Sequence, residues 1–125
     1  MKMTRRALVI DDSKSIRVMV VYTLQKAGFE VLESDNGADA LRQLDKTMVD
    51  LVITDLNMPV MDGITFIREL RARPAAKTVP ALLLTTDPLG TQKEDAREAG
   101  ATGWVVKPFR PDQLLSVVNR LVPQP

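Results

Sequence analysis

The chain has 125 residues, 17 Lys and Arg against 16 Asp and Glu, a formal net charge of +1, and neither cysteine nor histidine. That length suits one domain around one core, and the balanced charge offers no footprint for nucleic acid or an acidic membrane surface. The missing residues exclude disulfides, thiolate metal sites, cysteine nucleophiles and every histidine-based arrangement. Phosphoryl chemistry here would need a carboxylate nucleophile, and any phosphohistidine would have to belong to a partner.

No apolar run approaches the ~18 residues of a spanning helix, and the segment Met1 to Arg6 lacks the apolar region of a signal peptide. The expected location is the cytoplasm. The basic groups Lys2/Arg5/Arg6 and Arg68/Arg71/Arg73 are short and separated, and each reads as a solvated face.

In chain order, a first buried strand is Ala7-Leu8-Val9-Ile10, closed by Asp11-Asp12. Ser13 or Ser15 then caps a helix to about Ala27, ended by Gly28 where a left-handed residue is needed. Phe29 to Glu33 mixes apolar and acidic residues, as an edge strand does. Asn36-Gly37 opens a helix through Ala40, Leu41 and Leu44. The third strand, Leu51-Val52-Ile53-Thr54, ends at Asp55. Met58-Pro59 and Asp62-Gly63 form the loop that follows, with Asp62 capping a helix through Ile64, Ile67 and Leu70. A fourth strand runs from Ala81 to Thr85. Asp87-Pro88 reads as N-cap and N1 of a helix reaching about Ala99 before Gly100. The fifth strand, Gly103-Trp104-Val105-Val106, ends at Lys107-Pro108, and a last helix spans about Pro111 to Val122.

Short apolar runs alternating with helical patterns are the mark of buried parallel strands. The expected fold is α/β and flavodoxin-like, a doubly wound five-stranded parallel sheet of order 2-1-3-4-5 with helices on both faces. Ligands of such sheets bind beyond the carboxyl ends of the strands, where Asp11, Asp12, Asp55 and Lys107 all fall. Adjacent strands lie ~4.8 Å apart, so Asp12 and Asp55 can touch one ion. Carboxylates crowded together persist where a hard cation neutralises them, which points to Mg²⁺ with an ammonium opposite. Taken singly, each of these residues is an ordinary cap, turn or solvated charge; their shared position at strand ends is the signal.

The residues Val9-Ile10-Asp11-Asp12-Ser13, Asp55-Leu56-Asn57-Met58-Pro59-Val60-Met61-Asp62-Gly63, Leu84-Thr85-Thr86-Asp87 and Gly100-Ala101-Thr102-Gly103-Trp104-Val105-Val106-Lys107-Pro108-Phe109 carry a family resemblance. From about Ala7 to Leu121 the chain resembles a response-regulator receiver domain, above all those of single-domain chemotaxis regulators. The resemblance implies that Asp55 accepts a phosphoryl group. It implies that Mg²⁺ is held by Asp12, Asp55 and the backbone carbonyl of Asn57, with Asp11 acting through water. Thr85 and Lys107 would bind phosphoryl oxygens, and the Lys107-Pro108 bond would be cis. Trp104, by itself a core residue, falls at the family's aromatic switch position. Thr86 stands where the family favours a small residue, and Asp87 also flanks the site. Met58 and Met61 read as loop packing.

The implied protein is a phosphorylation switch rather than an enzyme, catalysing only its own phosphorylation and dephosphorylation. Residues 1–125 would form one receiver domain with no output domain, a monomer served by a histidine kinase or histidine phosphotransfer protein. The face made by the fourth helix, fifth strand and fifth helix would meet a downstream target such as the flagellar motor switch. The first helix, where Val18, Val21 and Tyr22 add apolar surface, would dock the phosphoryl donor. The fourth helix has few apolar anchors and like charges at Lys93/Arg97 and Glu94/Glu98, so it should be weakly held. Alternatives are a relay intermediate or phosphate sink, the receiver half of a transcription factor, and a Mg²⁺-dependent aspartate-nucleophile phosphohydrolase. The last wants an acid/base carboxylate at the position of Asn57.

Overall fold

The computed structural model describes residues 4–86 and 92–123. Five strands, β1 (Arg6–Ile10), β2 (Glu30–Ser34), β3 (Leu51–Asp55), β4 (Ala81–Thr85) and β5 (Gly103–Val106), alternate with five helices. These are α1 (Lys14–Lys26), α2 (Gly37–Lys46), α3 (Gly63–Arg71), α4 (Lys93–Ala99) and α5 (Pro111–Leu121). All strand pairs are parallel and the order is β2-β1-β3-β4-β5, as the alternation implies.

Side chains on a strand alternate between faces, and the core divides accordingly. Leu8, Ile10, Val52 and Leu83 pack with Phe66, Ile67, Leu70, Ala96 and Ala99 from α3 and α4. On the other face Ala7, Val9, Leu51, Ile53, Leu82 and Leu84 pack with Val20, Val21 and Leu24 of α1 and Leu114 and Val118 of α5. Strands β3 and β4 are buried throughout, which is why they read as unbroken apolar runs. Among the described residues, no helix is long and apolar enough to cross a membrane.

α2 and α3 start at side-chain caps, whereas Ser13 precedes α1 without a capping hydrogen bond from its side chain. Asn36 accepts from the Asp39 N–H and Asp62 from the Thr65 N–H, both at 2.8 Å, satisfying donors that a helix start leaves open. Gly28 ends the α1 turn at φ +95°, the left-handed conformation expected of it.

Several elements depart from the sequence expectation. The second strand is Glu30–Ser34, one residue later than Phe29 to Glu33, because Phe29 turns into the core beneath the Arg5 guanidinium, 4.1 Å from its ring centroid. The last helix stops at Leu121, and a 3-10 turn opened by Pro74 occupies Pro74–Ala76, where the sequence pattern marks no element. α4 is described from Lys93 onward; Asp87-Pro88, the expected helix start, lies outside the described residues, as does Lys2.

Two arginines are not on solvated faces. Arg5 is buried and donates to the Val122 and Ala27 carbonyls, both at 2.9 Å, tying the ends of α5 and α1 to β1. Arg71 donates to the carbonyls of Gly100, Ala76 and Val79 at 2.7, 2.8 and 2.6 Å. Gly100 has φ +104°, and a Cβ there would meet Arg71 Nε at 2.8 Å, so that close tether requires glycine.

Val21 also differs from expectation. It is buried in the core with α5, whereas Val18 and Tyr22 are 52% and 60% exposed. Helical spacing places residues 18 and 22 on one face and 21 on the next, so only the first two remain available to a partner.

The loop after β3 carries a strained residue. Val60 has φ 72°, and the Met61 N–H donates to the Pro59 carbonyl at 2.8 Å, making a γ-turn of the strained, positive-φ kind. Val60 is fully exposed and has no packing to offset that strain. Val60→Gly should therefore raise stability by roughly 0.5–1 kcal/mol, strain relief outweighing the added entropy of the unfolded chain. A thermal melt would show a midpoint a few degrees higher; a fall would mean the turn costs valine nothing.

Candidate functional site

β1 and β3 are neighbours with Ile10 opposite Thr54, so Asp11 and Asp55 leave the sheet side by side. Asp11 is fully buried: its N–H donates to the Ser34 carbonyl at 3.2 Å and its Oδ1 accepts from the Ser13 N–H at 2.9 Å. Asp12, next along, is exposed. Lys107 leaves the end of β5, where its N–H donates to the Thr85 carbonyl at 2.6 Å, and reaches across β4. Its Nζ stands 3.0 Å from Asp55 Oδ1 and 3.4 Å from Asp11 Oδ2.

Asp11, Asp12 and Asp55 each offer an oxygen, all within 4.8 Å of one another. Burial pushes the Asp55 carboxyl above its ordinary 3.8; the Lys107 hydrogen bond pulls it partly back, and the charges of Asp11 and Asp12 raise it further. One ammonium does not balance three carboxylates. The donors are all hard carboxylate oxygens, so the residues present fit Mg²⁺.

The local sequence explains how Asp55 is presented. Gly63 opens α3 directly against the strand end, and a Cβ there would run into the Asp55 carbonyl oxygen, so the Asp-Gly of the loop is a steric requirement. Met58 is buried and the Met61 Sδ lies over Gly37, so both methionines are packing residues as read from the sequence. Asn57 is exposed two residues beyond Asp55. Thr85 is fully buried at the end of β4, and Thr86 after it is exposed. The Lys107-Pro108 bond is cis.

Trp104 lies opposite Leu83 in β5, half-buried against the core on the α3 side, with Lys93 Nζ of α4 5.6 Å from its ring centroid. It therefore stands apart from the acidic cluster, two strands away from Asp55 with β4 between them, and faces α4. Asp87, expected to flank the cluster, lies outside the described residues. Arg17, which no sequence motif singles out, donates to the Asp11 carbonyl at 2.7 Å. Its signal was a cation in the first turns of α1, where the helix dipole opposes positive charge.

Residues 7–119 match the family model of the response regulator receiver domain, and the chain belongs to that family. It is 38% identical over 121 residues to the chemotaxis protein CheY of Bacillus subtilis (strain 168), covering 94% of this chain and 98% of that one. The solved structure of the chemotaxis response regulator CheY4 of Vibrio cholerae matches with a TM-score of 0.91 at 43% identity, over 95% of this chain and 99% of that one. A receiver domain of a Pseudomonas aeruginosa PAO1 sensor histidine kinase, solved with a magnesium ion coordinated in its active site cleft, matches at TM-score 0.86 and 26% identity, over 94% and 97%. The family consists of two-component signalling proteins rather than metabolic enzymes, which sets the phosphohydrolase alternative aside.

Proposed function

We propose that the chain is a phosphorylation switch, with Asp55 the acceptor of a phosphoryl group from a partner's phosphohistidine. The observation that carries this reading is the Lys107 ammonium held between Asp55 and Asp11 at the mouth of the sheet, 3.0 and 3.4 Å from their oxygens, with Asp12 completing the cluster. A carboxylate oxygen of Asp55 attacks phosphorus as the P–N bond breaks and its electron pair returns to the partner's imidazole. Acyl phosphate formation moves negative charge from the carboxylate onto the phosphoryl oxygens, so Lys107 exchanges its Asp55 contact for one of them. A unit-charge contact at 4 Å is worth about 4 kcal/mol at an effective dielectric near 20, so one lysine matters here. The Thr85 hydroxyl serves another phosphoryl oxygen. Mg²⁺ would be held by Asp12, Asp55 and the Asn57 carbonyl, with Asp11 acting through water, and would supply charge neutralisation for the transferring group.

The output face is that of α4, β5 and α5. α4 buries only Ala96 and Ala99, and its Glu94–Arg97 pair at 2.9 Å is exposed and weak. So lightly held a helix can shift for a modest differential energy. As Thr85 moves toward the phosphoryl group, Trp104 turns from half-buried to buried. The near full-length similarity to chemotaxis regulators supports chemotaxis signalling as the setting and the flagellar motor switch as the kind of target. Val18 and Tyr22 on α1, with Lys26 5.4 Å from the tyrosine ring centroid, form the face for a histidine kinase or phosphotransfer partner.

Trp104 is the single tryptophan, so its emission reports the switch without a label. Beryllofluoride with Mg²⁺, standing in for the phosphoryl group, should move the emission to the blue and reduce iodide quenching. Thr85→Ala should bind beryllofluoride yet lose most of the shift. An indole equally shielded in both states would make Trp104 fixed core and route the signal elsewhere.

A further inference from the structure

Arg17 is the fourth residue of α1, at the end of the helix where the dipole disfavours a cation. Its side chain is only 15% exposed, so it has given up both hydration and rotamer freedom to stay there. Two short contacts hold it: Nη1 donates to the Asp11 carbonyl at 2.7 Å, and Nε to Glu33 Oε1 at 3.0 Å. Glu33 lies on the edge strand β2, opposite Val9, and its own carbonyl accepts from Gln43 Nε2 at 3.0 Å. Gln43 in turn reaches Asp39 Oδ2 at 3.0 Å. A polar tie therefore runs from α1 around the edge of the sheet to α2, and its near end is the Asp11 carbonyl.

That carbonyl belongs to the same planar peptide unit as the Asp12 N–H. Fixing it sets the plane from which the Asp12 side chain departs. Asp11 itself is gripped through its N–H by Ser34 and through its carboxylate by Ser13 and Lys107. Asp12 is exposed, and Arg17 is the side chain that donates to the carbonyl of the peptide preceding it.

We propose that Arg17 is a positioning residue for divalent-cation binding: clamped by Glu33, it fixes the Asp11–Asp12 peptide and so aims the Asp12 carboxylate into the acidic cluster. The assignment rests on the reading of that cluster as a Mg²⁺ site. It differs in sign from what charge alone gives. Removing a cation bound to the Asp11 carbonyl makes the surroundings of the cluster more negative, which by Coulomb's law tightens Mg²⁺ binding. Removing a group that orients a ligand weakens it, by ten- to a hundredfold where such groups have been altered in metal sites.

Calorimetric titration of the full chain with Mg²⁺ separates the two. Arg17→Gln should raise the dissociation constant about tenfold or more, in protein whose circular dichroism is unchanged. Arg17→Lys, which keeps the charge but lacks the fork that reaches both acceptors, should also bind more weakly. Glu33→Gln leaves Arg17 in place and keeps the assignment testable if the arginine variants fold poorly; it should weaken binding severalfold at low and high ionic strength alike, whereas a loss due only to the missing charge fades as salt screens it. The Arg17→Gln/Glu33→Gln pair should lose less than the product of the single effects, because both act on one contact. Unchanged or tighter binding in Arg17→Gln, or in Glu33→Gln where the arginine variants fail to fold, overturns the assignment alone. Wild-type protein that binds no Mg²⁺, or an Asp12→Ala variant that binds as tightly as wild type, overturns the cation-site reading and the assignment with it.

Discussion

Asp55→Asn should take up no phosphoryl group from acetyl phosphate and Mg²⁺, while the wild-type chain gains one. The amide has the shape of the carboxylate but neither its charge nor its nucleophilic oxygen pair, so the step is removed while the strand end stays in place. Asp55 is buried and hydrogen-bonded to Lys107, and the asparagine carbonyl can still accept that bond, so the fold should persist. Intact-mass measurement reads the result directly, and chelation with EDTA should suppress wild-type labelling. Equal labelling of the variant would place the acceptor elsewhere. Labelling indifferent to EDTA would remove the metal from the reaction.

Val21→Glu should unfold the protein or come close to it, whereas Tyr22→Glu should change stability by less than about 1 kcal/mol. Val21 is packed in the core shared by α1 and α5, and a carboxylate there has no partner. Loss of that burial with an unpaired charge costs about 3–5 kcal/mol, a large part of the 5–15 kcal/mol that holds a domain of this kind together. Tyr22, one residue on, is mostly exposed, with Lys26 Nζ 5.4 Å from its ring centroid. Its replacement should slow phosphoryl transfer from a phosphorylated kinase or phosphotransfer domain and leave acetyl phosphate labelling intact. Urea denaturation and the two labelling assays distinguish these outcomes. If Tyr22→Glu leaves both transfer routes unaltered, α1 is not the docking face.

The contrast between these neighbours shows where the sequence was legible. Strands β1, β3 and β4 announced themselves because both their faces are buried, and their ends located Asp11, Asp12, Asp55 and Thr85 without further information. Edge strand β2 is half-exposed and acidic, so its pattern does not mark its first residue, and Phe29, a core residue just before it, reads as part of the strand. The apolar excess on α1 was visible, but which residue faced inward depended on α5, nearly a whole chain away. The same holds for the arginines. Nothing near Arg5 in sequence announces the Val122 carbonyl, 117 positions on, and nothing near Arg71 announces Gly100. Local pattern carries strands, caps and motif loops; contacts closed only by the tertiary fold leave no mark in it.

The Arg71 tether has a mechanical consequence for α4. The Thr102 N–H bonds the Ala81 carbonyl at the start of β4, so Gly100 and the arginine that grips it lie at the end of the sheet away from the acidic mouth. α4 is thus pinned at its far end and held along its length by two alanines. A rod of seven residues is about 10 Å long, and a 10° tilt about a fixed end carries the other through nearly 2 Å. The opposite end is the one bearing Lys93 over the Trp104 ring. A tilt about that pivot would therefore move the helix most beside the indole and least where Arg71 grips Gly100.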